Sequence, residues 1–222
     1  MKSKLIVALD VDTFQQAAAL VRVTRDVVDV FKVGNQLFTR VGPRILTLLH
    51  QQGKECFLDL KFHDIPSIVA KAVESAAALK VSLLTIHACG GAEMLQAAAA
   101  VPNRPRLLGV TVLTSVSGDV QAEVLRLAKL AKKCGLDGVI ASPREIRSIR
   151  ESMGGDFLIV TPGVRPAGAG AADQKRVMTP AEAIAAGASY IVVGRPIIQA
   201  DDPGQAAANI AAEIASVTGA SA

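Results

Sequence analysis

Asp59, Lys61 and Asp64 fall within six positions at the end of an apolar run, where a segment bound for the interior has no packing reason to carry charge. Side chains two apart on a strand share a face, so Asp59 and Lys61 project side by side while Leu58, Leu60 and Phe62 take the other face. Asp64 comes after the strand has ended, because Pro66 fixes its own φ, lacks an N–H and suits the first position of a helix. An acid, a base and a second acid are therefore predicted at a strand-to-helix junction. Charge placed there must bind a ligand or take part in chemistry.

Other residues join this cluster by type. Lys32 is a lone charge in the apolar run Val30-Phe31-Lys32-Val33-Gly34. A buried lysine needs a carboxylate or loses its proton, and Asp59 on the neighbouring strand is the partner expected, unless the two make only a structural ion pair. Asp10 ends the first apolar run; Asp12 and Thr13 already suit helix capping, which leaves Asp10 for a ligand hydroxyl. Gly194-Arg195-Pro196 reads either as a simple turn or as a phosphate site, with backbone N–H groups at a short helix N-terminus and a bidentate cation. The long stretch from Thr161 to Arg176, rich in Gly, Ala and Pro, adds Arg165 and Gln174, and reads as a phosphate clamp that orders on binding. His50, His63 and His87 show no metal-ligand spacing with the carboxylates. Mg²⁺ on those carboxylates is conceivable, but Lys61 already supplies a positive charge between them in sequence, and no metal is required.

These residues need a scaffold that gathers strand ends. Short apolar runs at 4–9, 28–33, 56–60, 82–87, 107–113, 137–141, 157–161 and 190–193 alternate with segments of helical period near 13–24, 36–51, 66–80, 91–100, 119–133, 143–152, 180–187 and 203–217. Ser142-Pro143-Arg144-Glu145 and Thr179-Pro180-Ala181-Glu182 read as capping boxes with proline at the first helical position, and Asp202-Pro203-Gly204-Gln205 as a weaker one. Gly53, Gly135 and Gly187 stand where helices should stop. Such β-then-α units predict an α/β protein, a (β/α)8 TIM barrel, with an open doubly wound sheet as the alternative. In the barrel, Asp10, Lys32, Asp59, Lys61, His87, Thr114, Ser115, Arg165, Gly194 and Arg195 all fall at or just after strand C-terminal ends, the face where barrel active sites gather.

Length and composition limit the partners. A chain of 222 residues that is 50% hydrophobic suits one barrel domain, expected over 1–217, with 218–222 as a frayed tail. The net charge of +4 fits a small anionic substrate, and equally a scatter of surface lysines. With 3% aromatic residues and no Trp there is no stacking platform for single-stranded nucleic acid, so no nucleic-acid partner is expected. Cys56, Cys89 and Cys134 sit far apart in apolar segments and read as buried thiols of a reducing compartment. Met1-Lys2-Ser3-Lys4 is too short for a signal peptide, and no apolar run approaches the roughly 18 residues of a membrane span. A cytoplasmic protein without membrane contact is expected.

Taken together, the motifs resemble the orotidine 5′-phosphate decarboxylase family. Asp59-Leu60-Lys61-Phe62-His63-Asp64-Ile65-Pro66 is similar to its signature, and the likeness extends to Ala8-Leu9-Asp10, Phe31-Lys32-Val33-Gly34, Thr111-Val112-Leu113-Thr114-Ser115, Thr161-Pro162-Gly163-Val164-Arg165-Pro166, Asp173-Gln174-Lys175-Arg176-Val177 and Val193-Gly194-Arg195-Pro196-Ile197. These blocks run the length of the chain in order. The resemblance implies a homodimeric barrel, without cofactor or metal, that converts orotidine 5′-phosphate to UMP and CO₂ in the last step of de novo pyrimidine synthesis.

Carried over residue by residue, the resemblance implies that Asp10 and Lys32 hold the ribose hydroxyls. Lys32, Asp59 and Lys61 would form an alternating charge array completed by Asp64, which with Ile65 enters the partner's site. Thr114 and Ser115 would meet the pyrimidine, and Arg165, Gln174, Gly194 and Arg195 the phosphate. The family usually carries a threonine two residues after the proline. Here Ile68 stands there, so that cross-interface hydroxyl contact is either missing or moved to Ser67. Two other functions remain as alternatives: a metal-dependent sugar-phosphate decarboxylase or aldolase of the same suprafamily, and a non-catalytic nucleotide-binding barrel.

Overall fold

In the computed structural model, residues 4–113, 116, 118–166 and 178–218 are described. The strands are β1 (Leu5–Ala8), β2 (Val30–Gly34), β3 (Glu55–Phe62), β4 (Leu83–His87), β5 (Arg106–Val110), β6 (Gly138–Ile140), β7 (Leu158–Pro162) and β8 (Tyr190–Val193). The helices are α1 (Phe14–Thr24), α2 (Asn35–Val41), α3 (Arg44–Gln51), α4 (Pro66–Ala78), α5 (Gly91–Ala99), α6 (Gln121–Lys133), α7 (Ile146–Met153), α8 (Pro180–Ala185), α9 (Arg195–Ile198) and α10 (Pro203–Thr218). The strands pair in sequence order, and β8 closes onto β1 with every pairing parallel. This is the (β/α)8 barrel expected from the alternation, and the open sheet is excluded.

The barrel is solid at its base because alternate residues of each strand point inward and are apolar there. Ile6, Val30, Phe57, Leu83, Leu108 and Val160 pack as one interior cluster, while their neighbours pack outward against the helices in a larger one. Two residues further along the chain the inward positions turn polar: Lys32 after Val30, Asp59 after Phe57, Thr85 after Leu83. The strand period thus places an apolar plug below and a charged layer above it.

Local signals set most boundaries. Thr13 and Gln16 form the capping box of α1, and Thr179 and Glu182 that of α8. Ser142 and Glu145 form the third box, on a short 3₁₀ turn that leads into α7. Gly53, Gly135 and Gly187 adopt positive φ after α3, α6 and α8. The segment expected as one helix over 36–51 is two, because Gly42 turns to φ +60° and Pro43 follows it. β5 ends at Val110 rather than 113, and Thr218 belongs to α10 rather than to a tail. Cys56 and Cys134 are buried as expected, but Cys89 is exposed, since it falls in the turn after β4 instead of in a strand. Burial pushes the Cys56 thiol up to about 12.

Candidate active site

The C-terminal strand ends surround a cavity of about 570 Å³. Ala8, Phe57 and Val192 give it an apolar floor, and the polar lining follows the rim. Asp10 just after β1, Lys32 on β2, and Asp59 and Lys61 on β3 form one stretch of it, with Arg165 after β7 and Gly194 and Arg195 after β8 beyond. Seven residues singled out in the sequence therefore line one cavity.

Within the charged stretch the groups alternate in sign. Lys32 Nζ is 2.9 Å from Asp10 Oδ1 and 3.6 Å from Asp59 Oδ2, and Lys61 Nζ is 2.9 Å from Asp59 Oδ1. The Lys32 and Asp59 side chains are only 12% and 14% exposed, so water screens little of their interaction and each charge depends on its neighbours. The nearer partner of Lys32 is thus Asp10, and the array has four members within one chain. Lys61 reaches Asp59 through a backbone in the left-handed region, φ +52°, which costs a non-glycine residue roughly 1–2 kcal/mol. Outliers of this kind persist where the surroundings hold them, and they cluster at functional sites.

Asp64 does not join this array within its own chain. It is exposed, and its Oδ1 accepts a hydrogen bond from the Ile65 N–H at 2.7 Å. Ile65 and Ile68 are 62% and 47% exposed beside it at the start of α4, where Ser67 is exposed too. Thr114, Ser115 and Gln174, with Lys175 and Arg176, lie outside the described residues. The backbone N–H of Arg165 donates to Met178 O.

The His63 and His87 rings stand 5.5 Å apart at a 44° tilt and line no part of the cavity. Burial, with His63 and Lys61 adding repulsion, lowers the His87 pKa, which Asp59 opposes. Among the described residues no three His, Cys, Asp or Glu side chains come together as a metal would need.

Two polar residues near the site were not foreseen. Gln199, just after α9, lines the cavity; its signal was a polar side chain four positions after Arg195, one helical turn along. Thr85 on β4 is wholly buried and hydrogen-bonded to the array. Its hydroxyl amid the apolar Leu83, Leu84 and Ile86 was the available signal.

The sequence model described as "Orotidine 5'-phosphate decarboxylase / HUMPS family" matches residues 3–210. A curated protein of Trichlorobacter lovleyi named orotidine 5′-phosphate decarboxylase is 50% identical over 230 aligned positions, covering 96% of this chain and 95% of its own. One of the same name from Moorella thermoacetica is also 50% identical, covering 96% of this chain and 92% of its own. Among solved structures, orotidine 5′-phosphate decarboxylase from Lactobacillus acidophilus superposes with a TM-score of 0.83 at 40% identity, covering 96% of this chain and 99% of its own. Among the described residues no helix is long and apolar enough to cross a membrane.

Proposed function

The chain belongs to the orotidine 5′-phosphate decarboxylase / HUMPS family, and we propose that it is the decarboxylase, converting orotidine 5′-phosphate to UMP and CO₂. The observation that carries this reading is the alternating Asp10–Lys32–Asp59–Lys61 array on the wall of the cavity. Breaking the bond between C6 and the carboxyl carbon leaves an electron pair in the plane of the pyrimidine ring. The ring π system cannot delocalise that pair, so the site has to stabilise it electrostatically. The Lys61 ammonium is a preorganised cation for this charge and then delivers a proton to C6, which yields UMP. Asp59 pairs with the Lys61 ammonium and faces the departing carboxylate.

Binding follows the rim. The cavity volume suits a nucleoside monophosphate. Asp10 and Lys32 take the ribose hydroxyls. Arg165, Arg195 and the Gly194 backbone take the phosphate, together with Gln174, and Thr114 and Ser115 meet the base. Because the phosphate lies far from C6, its binding energy is free to organise the charged end.

The active form is a homodimer in which Asp64 and Ile65 complete the partner's site, with Ser67 and Ile68 beside them. Two supports for this are the outward position of Asp64 and the exposure of Ile65 and Ile68 next to it. A cytoplasmic setting is supported by the free thiols of Cys56, Cys89 and Cys134.

The test follows the ultraviolet absorbance of orotidine 5′-phosphate with purified protein in the presence of EDTA. Turnover that survives the chelator is expected. Activity lost on chelation would favour a metal-dependent sugar-phosphate enzyme of the wider family, and binding without turnover a nucleotide sensor.

A further inference from the structure

Between Leu58 and Phe62 β3 advances four residues, while its partner β4 advances only two, from Leu84 to Ile86. Asp59, Leu60 and Lys61 therefore stand opposite Thr85 alone. Because the surplus is even, the inward and outward faces keep their parity on both sides of the irregularity, and Asp59 and Lys61 both remain turned into the barrel. The ladder is open at this point, and a backbone donor there needs another partner.

Thr85 fills the gap. Its hydroxyl accepts a hydrogen bond from the Lys61 N–H at 2.9 Å and donates one to Asp59 Oδ1 at 3.0 Å. The same carboxylate oxygen accepts from Lys61 Nζ at 2.9 Å. One hydroxyl thus holds both the backbone that carries the lysine and the carboxylate that anchors its ammonium. Valine would match the shape of Thr85 while offering neither a donor nor an acceptor.

The geometry points to Thr85 as a positioning residue for the reaction at Lys61: it holds the widened stretch of β3 that returns the ammonium onto Asp59. This rests on Lys61 being the reacting group of the proposed decarboxylase. Thr85 is fully buried and does not line the cavity, so its influence on nucleotide binding is indirect.

Wild type, Thr85→Val and Thr85→Ser are compared for kcat with orotidine 5′-phosphate, for UMP affinity, and for hydrogen exchange at the Lys61 amide. In Thr85→Val, kcat is expected to fall roughly 10- to 100-fold, the effect of removing a hydrogen bond to a charged group, with UMP affinity kept within about threefold. The Lys61 amide should exchange faster, and Thr85→Ser should restore both readouts. Unchanged kcat in Thr85→Val, or equal losses of kcat and UMP affinity, would overturn the proposal. So would a protein that folds only with a hydroxyl at residue 85, since the role is then structural alone; Thr85→Ala, which leaves room for a water, decides that case. A wild type with no turnover would sink the decarboxylase reading instead, and Lys61 amide exchange would still report whether Thr85 holds the lysine.

Discussion

Lys32 Nζ lies 2.9 Å from Asp10 Oδ1, closer than its 3.6 Å approach to Asp59. The Asp10 carboxylate just after β1, proposed above to hold a ribose hydroxyl, is thereby tied through one ammonium to the charge array on β3. A substitution that disturbs Lys32 should therefore be felt both at the ribose and at the reacting carbon.

Gly34 allows that pairing. A Cβ there would stand 3.0 Å from Lys32 Nζ and 3.3 Å from Asp10 Oδ1. Its φ of −96° is open to alanine, so backbone strain is not the issue. Gly34→Ala is expected to raise KM about tenfold through misplaced groups while the melting temperature shifts by under about 2 °C. Steady-state kinetics beside a thermal melt checks both halves.

Lys61→Ala should remove the reaction and leave the barrel. The side chain is partly exposed at the rim of the cavity, so its loss leaves no core void. Turnover is expected to fall by more than about 10⁴-fold, since the electrostatic and proton-donor contributions go together. Near-normal turnover in a folded variant would remove Lys61 from the mechanism.

Sharing of sites between subunits has its own test. If Asp64 completes the partner's site, Lys61→Ala in one chain and Asp64→Ala in the other fall in the same site of a mixed dimer and leave its second site whole. Each variant alone should be nearly inactive. Refolding them together in equal amounts is expected to recover about a quarter of wild-type activity, because half of random dimers are mixed and each of those has one intact site. No recovery would mean that Lys61 and Asp64 of one chain serve that chain's own site.

The contact between β6 and β7 makes a stability prediction. An added Cβ at Gly138 would come 2.4 Å from Leu158 O, and backbone does not move aside cheaply. Gly138→Ala should cost about 1–3 kcal/mol, lowering the melting temperature by roughly 3–10 °C.

His87 sets a pH dependence. Its folded-state pKa is depressed from the ordinary 6.5 mainly by burial, with His63 and Lys61 adding to it. Below about 6.5 the unfolded chain therefore binds more protons, so the stability contribution is whole above that pH and is lost as pH falls through the folded pKa. The melting temperature of His87→Asn should drop less between pH 7 and pH 5 than that of wild type.

The sequence by itself determined the barrel and most of its working surface. The strand period of two carried apolar residues into the plug and Lys32, Asp59 and Lys61 into the layer above, while capping boxes and glycines marked the helices between. Those are local signals, written in neighbouring residues. Tertiary structure decided what depends on register between strands distant in the chain: the nearer partner of Lys32, the turning of Asp64 away from its own array, the entry of Gln199 into the cavity, and the exposure of Cys89. Most of all it decided that two extra residues of β3 stand against Thr85. No local pattern announces that offset, because it exists only when β3 and β4 are paired, and the hydroxyl that satisfies it comes from a different strand.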